Sequence, residues 1–262
     1  MVLKSFFDAG NKDESAQYDV LSLAVISGTG SDWKPFEREW KKTLKKHKAA
    51  YLHTTDAVAR QGIYKGWSVR QRDAFLADLV RISGHHAARA TFGDAIGRYG
   101  IFCFIVSVVL KDFIACAKVN PIASKNANEA CLRQAIGEVL TWSEDQAACN
   151  ECHCIFDQGE PFYGFLVHLL QTKKALQRAP LLRKITFRGE ADSRRTPALQ
   201  YADFYAWCQS HRNSKRKPKW QTKMLNTHFR WQWMDKTNLH DINTAHQTEF
   251  LTWNLPRRRP TR

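Results

Sequence analysis

Apolar residues recur along this chain with two kinds of spacing, one typical of strands and one typical of helices. Segments of the two kinds follow one another, which predicts an alternation of strands with helices. Short runs rich in β-branched and aromatic residues are typical of strands. Five such runs occur, at Leu3 to Asp8, Tyr18 to Ile26, Ile101 to Val109, Cys152 to Asp157 and Lys184 to Arg188. The first two are joined by a turn-like segment and predict a hairpin, and the order as a whole predicts an α/β fold.

The long segment between the second and third strands, about residues 31–100, has helical spacing and predicts a helical insertion or lid. Its first part sets four large apolar residues on one helical face: Trp33, Phe36, Trp40 and Leu44. A second helix is predicted from Ser68, a suitable N-cap, to Ile82, before a connection that is punctuated by glycines.

The rest of the chain continues the alternation of strands with helices. Further helices are predicted at Asn128 to Gln146, Phe162 to Gln177, Pro197 to about His211, and Thr222 to Lys236. Pro197 suits the first position of a helix, and Thr196 is its expected N-cap. We expect one domain over residues 1–211 and a basic, tryptophan-rich C-terminal extension over residues 212–262.

A formal net charge of +15 on 262 residues adds a functional expectation, because so large an excess favours a polyanionic partner such as nucleic acid. Five lysines follow one another on and after the first predicted helix: Lys41, Lys42, Lys45, Lys46 and Lys48. This run is either a phosphate-binding face or an ordinary solvated helix face.

A second basic segment surrounds residues 213–223 and is interleaved with aromatic rings. Its cations are Arg212, Lys215, Arg216, Lys217, Lys219 and Lys223, and the tryptophans in and after it are Trp220, Trp231 and Trp233. Cations that hold phosphates and rings that stack on bases predict a nucleic-acid surface. In the alternative interpretation, the tryptophans anchor a C-terminal helix to the core.

Seven cysteines, an odd number without the spacing of a small disulfide scaffold, predict reduced thiols and a cytoplasmic location. No long apolar stretch of the kind found in secretory signals precedes Asp8. The longest apolar run, Ile101 to Leu110, is too short to span a bilayer, so we expect no membrane association.

The cysteines near the fourth strand raise a zinc hypothesis, with Cys149, Cys152, His153 and Cys154 as candidate ligands. His153 and Cys154 would face opposite sides of the strand, and a structural zinc site usually needs two separated ligand pairs. Buried thiols on a core strand are the better account of this cluster.

Three aspartates occupy prominent places in the predicted elements: Asp8 and Asp157 follow strands, and Asp203 lies in the last helix of the domain. Taken singly, each has an ordinary alternative as a turn former or an exposed helical residue. Carboxylates that converge repel one another unless a hard cation such as Mg²⁺ or Mn²⁺ lies between them. Convergence of the three would therefore indicate a divalent metal site.

The order of strands and helices, with acidic residues on the first strand, the fourth strand and the last helix, resembles the ribonuclease H-like fold. In that fold, acidic residues at these places hold catalytic metal ions. The resemblance implies a mixed five-stranded sheet flanked by helices, with a helical insertion between strands 2 and 3. It also implies that Asp8, Asp157 and Asp203 meet.

More narrowly, the chain resembles the bacterial and phage family catalogued as domain of unknown function 3800. The matching segments, spread over most of residues 3–209, are Phe7-Asp8-Ala9-Gly10, Leu52-His53, Phe156-Asp157, Asp192-Ser193 and Leu199-Gln200-Tyr201-Ala202-Asp203. The last is the most specific, because members typically open their final helix with Leu-Gln-x-Ala-Asp. The first departs from the family, which usually has Asp-Glu-Ser-Gly, so that Ala9 replaces an acidic ligand or proton acceptor.

Four further side chains are candidates for the same site. Gln200 shares a helical stripe with Asp203 and is expected to orient a metal-bound water or the carboxylate. Glu160 and Asp192 are candidate fourth ligands, with a first-turn helix acid and a loop cap as their respective alternatives. His53 is a candidate proton shuttle because histidine titrates near neutral pH, and its alternative is a hydrogen-bonded surface residue.

These features together predict a metal-dependent nuclease that hydrolyses phosphodiester bonds of DNA or RNA, with Mg²⁺ or Mn²⁺ held by carboxylates. The alternative, favoured by Ala9, is a non-catalytic nucleic-acid-binding module that keeps the fold, or an interaction module activated by a protein partner. A non-catalytic module binds nucleic acid in a salt-sensitive way that does not require a divalent ion.

Overall fold

The protein is built on a sheet that contains six strands in the described part of the chain. The structure is a computed structural model, and it describes residues 2–10, 20–87, 100–119, 126–145, 151–158, 164–165, 167, 185–214, 217–226, 230–235 and 239. The strands are β1 (Val2–Gly10), β2 (Val20–Thr29), β3 (Phe102–Val109), β4 (Glu151–Asp157), β5 (Ile185–Ala191) and β6 (Arg230–Met234). They lie side by side in the order β5-β4-β1-β2-β3-β6.

The directions of the strands make the sheet mixed. β2 runs antiparallel to both β1 and β3. β4 is parallel to β1, β5 is parallel to β4, and β6 is parallel to β3. The predicted α/β class is thereby confirmed, and each of the five predicted strands is present. The expected total of five is wrong, because β6 adds a sixth strand beside β3.

Helices flank the sheet on both faces. Those in the described residues are α1 (Gly30–Lys46), α2 (Thr54–Ala59), α3 (Val69–His86), α4 (Leu110–Val119), α5 (Ala127–Asp145), α6 (Pro197–Ser210) and α7 (Lys219–Leu225), with a short 3-10 helix at Gly62–Tyr64. The first three lie between β2 and β3, where the sequence predicts helices. The predicted helix Phe162 to Gln177 and the glycine-punctuated connection before β3 lie largely outside the described residues.

Capping side chains explain where several helices begin. Thr29 and Asp32 form a capping box at α1: the Thr29 hydroxyl accepts from the Asp32 N–H at 3.3 Å, and the Thr29 N–H donates to the Asp32 carboxylate at 2.8 Å. Ser68 caps α3 as the sequence predicts, accepting a hydrogen bond from the N–H of Gln71. Thr196 occupies the N-cap position of α6, but its side chain makes no capping hydrogen bond.

Two hydrophobic cores lie on opposite faces of the sheet, because successive side chains of a strand alternate between its faces. Phe7 stacks on Phe156 with ring centroids 4.6 Å apart, in the core that α5 covers. Phe6 meets Trp33 edge to face at 5.0 Å, in the core covered by α1, α3 and α6. The sheet is therefore the middle layer between two helical layers.

The C-terminal segment differs from the predicted helix over Thr222 to Lys236. Helix α7 ends at Leu225, and β6 then pairs with β3. The alternation in Arg230-Trp231-Gln232-Trp233-Met234 has the period of a strand, and the edge of β3 offers backbone groups to pair with it. Trp220 is buried against Phe204 at 5.6 Å, so the anchoring interpretation is confirmed for that tryptophan.

Helix α3 continues past its predicted end at Ile82 and stops at His86. Gly84 favours termination of a helix, but the residues around it are held by packing. Ile82 and Ser83 are buried, and the Ser83 hydroxyl donates to the carbonyl oxygen of Leu79 at 2.9 Å. The extra turn carries a pair of histidines, His85 and His86, into the last turn of the helix.

Candidate functional site

Asp8 and Asp157 lie beside each other on neighbouring strands. β1 and β4 pair in parallel with Phe7 opposite Phe156, so the two aspartates follow at the same level. Neighbouring strands are about 4.8 Å apart. Because Phe7 and Phe156 stack on the α5 side, the two aspartates project to the opposite side of the sheet, where α6 lies.

Asp203 places a third carboxylate on that side. It lies in the second turn of α6, which packs across β1 and β2. Asp8 is only 4% exposed, whereas Asp157 and Asp203 are partly exposed. All the donor atoms of this trio are oxygens, which are the ligands that Mg²⁺ and Mn²⁺ prefer. The donor chemistry therefore fits a hard divalent ion.

Asp203 also holds the segment that leads into α2. Its Oδ2 accepts hydrogen bonds from both the N–H and the hydroxyl of Thr54, each at 2.8 Å. The residue before, His53, occupies the N-cap position of α2 without a side-chain capping bond. Asp203, which belongs to α6, thus accepts a hydrogen bond from an N–H group at the start of α2. A negatively charged acceptor is favourable at the N-terminus of a helix.

The Asp157 carboxylate organises the loop between β5 and α6. Its Oδ1 accepts the N–H of Ser193 at 3.0 Å. In the same loop, the N–H of Arg194 donates to Asp192 Oδ1 at 2.9 Å, which is the hydrogen bond expected of a loop cap. A ligand role for Asp192 stays a prediction, and Glu160, the other candidate fourth ligand, lies outside the described residues.

The side-chain amide of Gln200 makes four hydrogen bonds to other protein groups around the site. Its Oε1 accepts hydrogen bonds from Trp40 Nε1–H at 2.9 Å and from the N–H of Leu52 at 3.0 Å. Its Nε2 donates to the carbonyl oxygens of Ser193 at 2.9 Å and Arg194 at 3.2 Å. The amide is 1% exposed and uses both donors and both acceptor positions on protein groups. Its contribution to the site is therefore to position α1, the Leu52 segment and the loop before α6.

In the described structure, the carboxylate oxygens of Asp8, Asp157 and Asp203 do not all lie within 4.8 Å of one another. Among the described acidic, histidine and cysteine side chains, the group of three that meets this spacing is Glu39, His85 and His86. An ion bound by the whole trio would compete with the hydrogen bonds that Asp157 and Asp203 accept from Ser193 and Thr54.

His53 and Tyr64 lie at the edge of the site near Asp203. His53 is exposed, and its Nδ1 lies 2.9 Å from Asp56 Oδ2. Tyr64 is buried, its hydroxyl donates to the carbonyl of Tyr51, and it accepts the N–H of His53 at 3.3 Å. Burial raises the pKa of Tyr64 well above its ordinary value, so it stays protonated and fixes the segment. A proton-shuttle role for His53 stays a prediction.

The cysteines of β4 lie where the buried-thiol interpretation places them. Cys152 and Cys154 share the fully buried face of the strand, and His153 lies on the other face, where it meets Glu151 at 3.1 Å. Cys149 lies outside the described residues. The six cysteines that the structure describes are free thiols.

A basic groove lies between α3 and α7. It has a volume of about 690 Å³ and is lined by Val80, Arg81, Gly84, Lys217, Lys219, Thr222, Lys223 and Asn226. Four of these residues carry a positive charge, and Thr222 and Asn226 add neutral polar side chains. Three of the four cations belong to the basic segment around residues 213–223, so part of that segment lines a concave surface.

The lysine run from Lys41 to Lys48, most of which lies in α1, includes residues that pair with carboxylates. Lys46 Nζ makes an ion pair with Asp78 Oδ2 at 2.7 Å, and Lys41 lies 3.9 Å from Glu37. These pairs neutralise part of the run, which favours the interpretation as a solvated helix face over a dedicated phosphate-binding face.

The cluster of Glu39, His85 and His86 was not found by sequence reasoning. The residues come from two helices, 46 positions apart in the chain, and the histidines lie beyond the predicted end of α3 at Ile82. Two adjacent histidines just after the predicted helix end were the available signal, since histidine is a common metal ligand.

Comparison of the chain with family models, curated proteins and solved structures found no match. Among the described residues, every helix is too short or too polar to cross a membrane. The function is therefore argued from the site itself.

Proposed function

We propose that this protein is a metal-dependent nuclease with a ribonuclease H-like fold, which hydrolyses phosphodiester bonds of DNA or RNA. The observation that carries the proposal is the placement of Asp8, Asp157 and Asp203 on one side of the sheet, two on neighbouring strands and one on the helix that packs across them. A trio of oxygen donors in this arrangement is suited to Mg²⁺ or Mn²⁺.

The strand order supports the ribonuclease H-like interpretation. An antiparallel β1-β2-β3 unit is extended beside β1 by the parallel strands β4 and β5. The acidic residues fall on the first strand, on the fourth strand and on the helix after the fifth. The Leu199-Gln200-Tyr201-Ala202-Asp203 segment occupies the first two turns of α6, in keeping with the resemblance to the domain of unknown function 3800 family.

The candidate residues have different roles in the proposed reaction. Asp8, Asp157 and Asp203 would hold the divalent ion, whose chemistry would be to lower the pKa of a bound water and to neutralise charge that develops on the phosphate. Gln200 keeps the loop before α6 and the Leu52 segment in place around the ligands. His53, exposed and paired with Asp56, lies at the rim of the site and is the proposed proton shuttle.

The basic groove supplies a binding surface for the polyanionic substrate. Lys217, Lys219 and Lys223 line it together with Arg81. Lysine and arginine side chains hold phosphates without reading the base sequence, and their contribution weakens as salt rises. We therefore propose binding through the nucleic-acid backbone, with little dependence on sequence.

Cleavage assays with defined variants test the catalytic proposal. Labelled single- and double-stranded DNA and RNA are incubated with the pure protein in Mg²⁺, in Mn²⁺ or in EDTA. We expect cleavage that requires the ion and is lost in Asp157→Asn and Asp203→Asn, because an amide is a weaker ligand than a carboxylate for a hard cation.

Glu37→Gln is the matched control, since it removes one partly exposed carboxylate of α1, which lies 3.9 Å from Lys41. It should cleave as the wild type does. Thermal unfolding of each variant must show that the fold is kept. Equal cleavage by Asp157→Asn, Asp203→Asn and the wild type would show that the aspartates are not the catalytic ligands.

A non-catalytic nucleic-acid-binding module is the second candidate function. Two observations favour it: Ala9 stands in place of the glutamate of the resembled family, and Asp157 and Asp203 already accept hydrogen bonds from Ser193 and Thr54. Such a module binds nucleic acid equally well in EDTA and in Mg²⁺ and cleaves in neither. A requirement for a protein partner would appear as cleavage only after that partner is added.

A further inference from the structure

Three side chains of α1 and α3 converge away from the three aspartates. His85 Nδ1 lies 3.5 Å and His86 Nε2 lies 3.4 Å from the same atom, Glu39 Oε2. The three ligand atoms all lie within 4.8 Å of one another. Two imidazole nitrogens and a carboxylate oxygen are a frequent ligand set of zinc enzymes and zinc-binding proteins.

The spacing of these atoms matches a tetrahedral ion. Ligand atoms at 2.0–2.1 Å from a zinc ion with tetrahedral geometry are about 3.3–3.4 Å from one another. The separations of 3.4 Å and 3.5 Å between each imidazole and Glu39 Oε2 are close to that edge length. The third separation, between the two imidazole nitrogens, is no more than 4.8 Å, so an ion would be enclosed once the histidines close to the same edge length.

The backbone and rings around His86 hold it in place. The N–H of Ile101 donates to the carbonyl oxygen of His86 at 2.8 Å, and Ala87 pairs with Ile101. Phe36 meets the His86 ring edge to face, with centroids 5.7 Å apart. Ligand residues that are fixed in this way lose little conformational freedom on binding an ion.

One imidazole nitrogen of the cluster is buried without a hydrogen bond. His86 Nε2 makes no hydrogen bond of good geometry in the described structure, although it faces Glu39 Oε2 at 3.4 Å. This nitrogen is therefore available to an ion bound beside Glu39.

We propose that Glu39, His85 and His86 bind one divalent transition-metal ion of the zinc class, with water in the remaining position. The ion would tie α1 to the last turn of α3. The site differs in kind from the oxygen-only trio of aspartates, since imidazole favours zinc and carboxylate-only sets favour magnesium or manganese. It is independent of the proposed nuclease activity.

Solvent can reach the cluster from one side. The His85 side chain is 68% exposed, the Glu39 side chain is 33% exposed and the His86 side chain is 12% exposed. An ion can therefore enter through the His85 side, and the inner histidine forms the floor of the site. This asymmetry also decides which residues are suitable for mutation, because His85 and Glu39 can be changed without opening the core.

The test is a titration of the untagged, metal-free, full-length protein with Zn²⁺ by calorimetry, with Co²⁺ absorption as a second probe. We expect one equivalent to bind. Glu39→Gln and His85→Asn should each weaken binding by roughly tenfold or more, and the double variant should lose stoichiometric binding. Saturation at about 100 times Kd should raise the Tm of the wild type by roughly 5–10 °C, and this shift should vanish in the double variant.

Matched controls separate the cluster from other ligands. Glu37→Gln changes the same residue type two positions away on α1, and His53→Asn removes another exposed histidine that faces a carboxylate. Both should bind Zn²⁺ as the wild type does. A Co²⁺ spectrum without a thiolate charge-transfer band should exclude Cys152 and Cys154 as the ligands.

Two results would overturn the proposal. One is the absence of stoichiometric Zn²⁺ binding by the wild type at neutral pH. The other is a double variant of Glu39 and His85 that keeps its fold, shown by an unchanged circular dichroism spectrum, and still binds Zn²⁺ with wild-type affinity.

Discussion

Gln200 provides the sharpest test of how the site is held together. Replacing it with leucine keeps a buried side chain of similar size but removes four hydrogen bonds. Two of these satisfy donors, the indole of Trp40 and the N–H of Leu52, and two satisfy the carbonyl oxygens of Ser193 and Arg194. The change therefore disconnects three separate segments at once.

The expected loss of stability follows from which of those groups are shielded from water. The Trp40 and Leu52 residues are 0% and 2% exposed, so their donors stay unsatisfied, at about 1–3 kcal/mol each. The two carbonyl groups belong to partly or fully exposed residues and can regain water. We expect Gln200→Leu to lower the free energy of unfolding by about 2–6 kcal/mol, a large share of the roughly 5–15 kcal/mol typical of a domain.

Urea unfolding followed by tryptophan fluorescence measures this loss, and α6 supplies the control. Gln209 lies on the same helix and is also 1% exposed, but neither atom of its amide has a hydrogen-bond partner in the described structure. Gln209→Leu should therefore be neutral or stabilising. If both variants lose the same stability, the hydrogen bonds of Gln200 do not brace the site and the reasoning is refuted.

Two further predictions concern charged side chains. The double variant Lys219→Gln, Lys223→Gln should weaken nucleic-acid binding. The slope of log affinity against log salt concentration should become shallower by about 0.9 for each phosphate of double-stranded DNA that these lysines neutralise. An unchanged slope would place the nucleic acid elsewhere. Burial raises the pKa of Asp78, but hydrogen bonds from Lys46 and His47 outweigh it and lower the pKa. This stabilisation is present above the unfolded pKa of about 3.9 and is lost as pH falls through the folded value, so the stability of Asp78→Asn should fall less steeply below about pH 4 than that of the wild type.

Much of the strand framework could be predicted because each strand carries its own signal. The apolar runs that contain Phe7 and Phe156 locate β1 and β4, and Pro197 marks the start of α6. The neighbouring positions of Asp8 and Asp157 then follow once the two strands pair in parallel. No local pattern in the sequence indicates the order of the strands within the sheet.

What could not be predicted depends on contacts between distant segments. The alternation in β6 is visible in the sequence, but the edge of β3 that pairs with it is not. Gly84 indicates a helix end, and only the burial of Ile82 and Ser83 shows why α3 continues. The four hydrogen bonds of Gln200 likewise join segments up to 160 positions apart, so its role as a brace has no local signature.

The proposed nuclease activity depends on a divalent metal ion held by the aspartates. The most direct measurement compares cleavage of labelled single-stranded DNA and RNA by the wild type, Asp157→Asn and Glu37→Gln in Mn²⁺ and in EDTA. We expect cleavage in Mn²⁺ by the wild type and Glu37→Gln, none by Asp157→Asn, and none by any of them in EDTA. Cleavage by the wild type that persists in EDTA, or that Asp157→Asn retains in full, would show that the aspartates do not hold a catalytic metal ion.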